Sequence, residues 1–94
     1  MFHLTLTGFL AGTPLCNCNR EEAAARGERF AHFAYFEAWH LDICPTCLLV
    51  ALLDIDPEEA RQHEMTPKQA KDYVVANFNK CTIRSLSPSD LYEP

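Results

Sequence analysis

The opening residues, MFHLTLTGF, alternate between apolar and polar positions. Phe2, Leu4 and Leu6 fall on one side, and His3, Thr5 and Thr7 on the other. A period of two predicts a half-buried β-strand. Gly8, Gly12 and Pro14 then mark a turn-rich segment. Residues 19–27, NREEAAARG, predict a short helix. Asn19 can cap it, Glu22 stands at the third helical position as a capping box requires, and Gly27 can end it. Alternation returns in residues 28–36, ERFAHFAYF. One face carries Phe30, His32, Ala34 and Phe36, the other Arg29, Ala31, Phe33 and Tyr35. Aromatic alternation favours a strand, and two fairly apolar faces favour a central one.

The second half of the chain changes to helical punctuation. Residues 37–43 read as a loop. A helix is predicted over 45–53, with Pro45 in the first turn, where its missing N–H would be unpaired anyway. Asp56-Pro57-Glu58-Glu59 is another helix start: a cap, a proline, then two acids at the positive end of the helix dipole. Thr66-Pro67-Lys68-Gln69 repeats the signal as a capping box. The helix behind it, to about residue 79, puts Ala70, Tyr73, Val74 and Phe78 on one stripe, which reads as core. Residues 81–85 offer a third strand. The polar end, residues 87–94, reads as a flexible tail.

Composition adds bounds. The 94 residues suit one domain, and 48% hydrophobic with 22% charged residues is globular, not disordered. A core this small gains from a covalent or metal staple. The net charge of −5 weighs against a general nucleic-acid binder, which usually shows a basic face. The acids concentrate in DIDPEEARQHE, residues 54–64. That run reads either as a solvated helix start or as an acidic surface offered to a basic partner, with Asp54, Asp56, Glu58 and Glu59 as its contacts. The longest uninterrupted apolar run, residues 47–53, falls far short of the roughly 20 residues that cross a membrane. No Lys or Arg precedes Arg20, Pro14 interrupts the first apolar stretch, and Leu15 stands where a lipoprotein signal wants a small residue. The expectation is therefore a cytosolic protein without a signal peptide.

In that compartment thiols stay reduced, and clustered cysteines point to metal or redox chemistry. Five cysteines occupy positions 16, 18, 44, 47 and 81. Four make two tight pairs, C-x-C and C-x-x-C. Zinc takes four tetrahedral nitrogen or sulfur ligands, commonly as two close pairs from separate turns. The second pair also opens a helix, whose positive end lowers thiol pKa values. The expected structural zinc ligands are Cys16, Cys18, Cys44 and Cys47. His32, on the strand between the pairs, is the alternative to Cys18, or else an ordinary packed histidine. His40 is a weaker candidate. His3 and His63 have no ligand context in the sequence, and Cys81, apart from the pairs, reads as a small buried residue.

Two cysteine pairs around a strand, the second at a helix start, resemble zinc-ribbon and treble-clef domains over about residues 4–53. The tight C-x-C departs from the usual C-x-x-C knuckle. The expected fold is small α+β: residues 1–86 as one zinc-stabilised domain, with two or three short antiparallel strands and two or three helices packed on one side. CPTC at a helix start also resembles the C-P-x-C of glutaredoxins. That fold, however, wants a βαβ unit before the long helix, a strand leading straight into the motif, and a cis-proline before a later strand. The sequence offers none of these, and redox chemistry leaves the C-x-C unexplained.

No G-x-S-x-G, H-E-x-x-H or phosphate loop occurs, and no H-x-E precedes the C-x-x-C. The paired acids Glu21-Glu22 and Glu58-Glu59 sit in helix first turns, where capping accounts for them. The expectation is a non-enzymatic interaction module, with Phe33, Tyr35, Phe36 and Trp39 as aromatic anchors if exposed. By type (small, acidic, single-domain, without catalytic signature) the chain resembles phage-encoded inhibitors of bacterial defence, including anti-CRISPR proteins. That resemblance implies a basic protein or complex as partner and the host cytoplasm as location. The alternative is a zinc-ribbon nucleic-acid module using Arg20, Arg26, Arg29 and Arg84.

Overall fold

A computed structural model describes residues 1–5, 14–32, 42–82 and 87–92. The architecture is α+β. Strand β1 (Phe2–Thr5) is followed by helix α1 (Arg20–Ala25), strand β2 (Arg29–His32), and helices α2 (Pro45–Leu53), α3 (Pro57–Gln62) and α4 (Pro67–Ala76). Two 3-10 turns, Phe78–Lys80 and Pro88–Leu91, complete the described chain.

The strands pair in parallel, not antiparallel, with Phe2 opposite Arg29 and His3 opposite Phe30. The physical reason is the helix between them. A hairpin returns the chain antiparallel through a tight turn, whereas a strand–helix–strand crossover brings it back in the same direction. A βαβ unit therefore does precede α2. Parallel strands are commonly covered on both faces, and β1 follows that rule: His3, Leu4 and Thr5 are all buried. The polar positions of its alternating pattern face a packed interior rather than solvent.

Caps set the helix boundaries. The Asn19 side chain accepts a hydrogen bond from the Glu22 N–H, and Asp56 accepts one from the Glu58 N–H. Thr66 and Gln69 form the reciprocal capping box of α4. Pro45, Pro57 and Pro67 each open a helix. Gly27, at φ +82°, turns the chain out of α1 in a conformation that other residues rarely adopt.

The core centres on α2, whose sequence PTCLLVALL is apolar all round. Cys47, Leu48, Leu49 and Leu52 are buried, and α4, α3 and β1 pack around them. Such a helix belongs inside. Its carbonyl end is closed by Thr82, whose N–H donates to the Leu52 carbonyl and whose hydroxyl donates to that of Ala51, both at 2.8 Å. Ala70 and Val74 on α4 are buried as their stripe predicts, with Tyr73 and Phe78 half-buried at its edge. Near the chain end Leu91 is fully buried, and the Tyr92 hydroxyl donates to Asp72 at 2.6 Å. Residues 6 and 7 of the first predicted strand, Phe33, Tyr35, Phe36, Trp39, His40 and residues 83–85 lie outside the described residues, as does the His32 side chain.

Candidate metal centre

One strand edge assembles the centre. Backbone groups two residues apart leave a strand from the same edge. On the edge of β1 that faces away from β2, the Phe2 carbonyl accepts from the Cys44 N–H at 2.7 Å, and the Leu4 carbonyl accepts from the Leu15 N–H at 2.8 Å. The first bond anchors the start of CPTC. The second anchors the turn that carries Cys16. His3 lies between the two anchored residues and projects its ring among the sulfurs.

The cysteine turn is compact. The Asn17 N–H donates to the Pro14 carbonyl at 2.9 Å, and Asn17 takes a left-handed φ of 57°. Asparagine tolerates that region better than most residues. Arg61 of α3 donates from its guanidinium to the Cys16 carbonyl at 2.9 Å, which ties the turn to the helical layer. On the other side, Cys44 is the residue just before α2, and Cys47 lies in its first turn.

His3, Cys16, Cys44 and Cys47 are all buried, and their donor atoms lie within 4.8 Å of one another. No disulfide joins these cysteines. The four residues are placed to bind a metal ion. The spacing supports this: Cys16 Sγ lies 3.4 Å and Cys47 Sγ 3.8 Å from His3 Nδ1. With Zn–S near 2.3 Å and Zn–N near 2.0–2.1 Å, a tetrahedral centre puts sulfur and nitrogen about 3.6 Å apart.

The histidine is held from behind. Its Nε2 lies 2.5 Å from Glu28 Oε1. An ionised carboxylate only accepts, so Nε2 carries the proton and Nδ1 is the atom turned to the sulfurs. Arg26 donates from Nε to Glu28 Oε2 at 3.0 Å and from an outer nitrogen to Oε1 at 3.2 Å. Carboxylate–histidine pairs of this kind fix the tautomer and ring orientation of metal-binding histidines. Phe30, opposite His3 in register, stacks on its ring at 5.6 Å, and Arg20 lies over the Phe30 ring at 4.6 Å.

Charge within the centre is strained when no cation shares it. His3 is pushed up to about 10 by the thiols of Cys16 and Cys44, against burial and with help from Glu28. Cys16 is pulled far down by hydrogen bonds from Cys44 and Cys47. Cys47 is pushed far up by Cys16, Cys44 and burial. Glu28 is held near 2 by Arg26 and His3. Buried thiols this close cannot all ionise unless a cation lies among them.

The structure thus brings together Cys16, Cys44 and Cys47, three of the four predicted ligands, and adds His3, which had no ligand context in the sequence. Cys18 stands outside the mutually close group. It is half-buried, with Sγ 3.8 Å from His3 Nδ1. His32 closes β2 opposite Thr5. Asp54, Asp56, Glu58 and Glu59 are exposed at the α2–α3 junction. Asp56 serves as the cap of α3, and Asp54 closes α2 in a left-handed conformation. A parallel βαβ unit stands where the cysteine spacing suggests antiparallel strands.

Fold and centre together define a small α+β domain organised on three cysteines and one histidine. Compared with known protein families, with curated proteins and with solved structures, the chain matches none.

Proposed function

We propose that the protein is a non-enzymatic interaction domain whose fold is held by one structural zinc ion. The observation that supports this most is the burial of four mutually close donors, with His3 2% and Cys47 0% exposed. Three thiolates and an imidazole suit zinc. A catalytic zinc keeps a position open for water or substrate, whereas four protein donors fill a tetrahedron. Protein purified without added metal is expected to carry one zinc per chain by elemental analysis. A chain that is folded and metal-free overturns the zinc assignment.

The working surface is then the outside of the helical layer. Asp54, Glu58 and Glu59 are exposed there in a chain of net charge −5, which favours a basic partner through long-range attraction. One such partner class is the basic nucleic-acid groove of a bacterial defence complex, the target used by phage-encoded inhibitors that include anti-CRISPR proteins. Reversing Asp54, Glu58 and Glu59 to lysine, with the Asp56 cap left in place, should weaken binding to a basic partner most at low salt. The fold should lose only about 0.3–1 kcal/mol per reversed charge at the helix start. Unchanged low-salt binding would rule this surface out.

Two rivals fare less well. The nucleic-acid reading needs free arginines, but Arg26 is engaged by Glu28 and Arg20 lies over Phe30. A gel shift at low salt tests it. The dithiol reading gains from the βαβ unit and from extended Ile43, which bridges Phe2 in parallel just before the motif. It loses because the attacking sulfur of such a motif must reach its substrate, and Cys44 is only 6% exposed.

A further inference from the structure

A fifth donor, the Cys18 sulfur, stands beside the four close ones. Cys18 Sγ lies 3.8 Å from His3 Nδ1, the same separation as Cys47 Sγ, a member of the close group. Among these five, Cys18 is the thiol nearest to solvent: Cys16, Cys44 and Cys47 are buried, and Cys18 is half-buried. It also sits on the same short turn as Cys16, one residue beyond left-handed Asn17 and outside both strands.

We propose that Cys18 is a standby ligand that replaces His3 in the fourth position, so that the centre can exist as a three-cysteine, one-histidine site or as a four-cysteine site. The proposal rests on the structural-metal reading above. In the exchange, the metal–Nδ1 bond breaks and a metal–Sγ bond to Cys18 forms. The thiol proton of Cys18 passes to Nδ1 across the 3.8 Å contact. The released imidazolium keeps its Nε2–H on Glu28, so its new charge already faces a carboxylate. The metal centre changes from −1 to −2 in formal charge for a divalent ion, and no proton leaves the protein. Softer, more thiophilic cations favour the all-sulfur form. The protonation of the His3 ring would therefore report which metal the centre holds.

Cobalt(II) titration tests this, because its visible spectrum distinguishes a mixed site of three sulfurs and one nitrogen from an all-sulfur site. The wild type and Cys18→Ser are expected to bind one cobalt ion with the mixed signature and similar affinity. His3→Asn, close in volume, is expected to bind with the all-sulfur signature and an affinity lower by about 10–100-fold. The double variant His3→Asn/Cys18→Ser is expected to fall by roughly a further hundredfold. A signature of three sulfurs and one oxygen in His3→Asn, unchanged in the double variant, overturns the standby role while leaving the structural metal intact. Absence of metal binding by the wild type overturns both. If His3→Asn does not fold, the cadmium form gives the comparison by cadmium NMR. An all-sulfur shift in the wild type and a mixed sulfur–nitrogen shift in Cys18→Ser supports the exchange; the mixed shift in both overturns it.

Discussion

Cys16, Cys44, Cys47 and His3 are each unfavourable to bury as charged groups, and each becomes favourable once a cation is shared among them. Glu28 makes the histidine part of that arrangement, since its carboxylate accepts the Nε2–H and leaves Nδ1 for a metal. Glu28→Gln keeps the shape and removes the charge. It should lower zinc affinity by about 10–100-fold, read by competition with a chromophoric chelator. An unchanged affinity would mean that β1 alone positions the ring. Neither residue is legible in the sequence as a site. His3 occupies a polar position of an alternating strand, where a half-buried reading sends it to solvent, and Glu28 looks like a charge at a strand start. Only the parallel pairing, which puts Phe30 opposite His3 and Glu28 beside it, gives either a purpose. Cys16, Cys44 and Cys47 are legible because close spacing is itself the signal, although Cys18 of the same C-x-C falls outside the close group.

The elements follow their local signals closely where those signals are caps. Asn19, Asp56 and Thr66 start helices at the positions their side chains dictate, and CPTC opens α2 because Pro45 fits a first turn. Strand direction is another matter. Nothing in a four-residue strand states which way its partner runs, but the order strand, helix, strand does, and it is the available clue to parallel pairing. The apolar helix α2 carries the packing, so Leu48→Ala should cost about 2–5 kcal/mol in chemical denaturation of the metal-loaded protein; a loss below about 1 kcal/mol would mean that the metal alone sustains the core. In the sequence, residues 88–91 read as part of a loose tail because they are polar around a single leucine. Leu91 is that leucine, and it is buried. Burial and the bond to Asp72 push the Tyr92 phenol up to about 12. A raised folded value means this contact is fully present below the usual tyrosine value near 10 and is lost as pH rises towards 12. Asp72→Asn should move one tyrosine ionisation down towards 10, seen by spectrophotometric titration; no movement would show that the bond is absent in solution.

The whole molecule is small, and its core is one buried helix with three thin layers around it. Domains of ordinary size keep only about 5–15 kcal/mol of net stability, while structural zinc supplies about 10–16 kcal/mol in small zinc-binding peptides. A metal of that strength held by His3, Cys16, Cys44 and Cys47 would join the sheet to the helical layer at one point. Removing it should separate them. The α+β class and three of the four buried donors are readable from 94 residues, because composition limits the core and close cysteine spacing announces a cluster. The identity of the fourth donor is not, because it depends on which strand face turns inward. If this cluster holds zinc, zinc should in turn hold the fold. The most direct measurement is native mass spectrometry of the protein purified without added metal, paired with circular dichroism during titration with a strong chelator. One zinc per chain is expected, with loss of tertiary and helical signal as the metal leaves, reversed on adding zinc back. A metal-free chain that stays folded through the titration, with a reversible Cys44–Cys47 disulfide in its place, would contradict it.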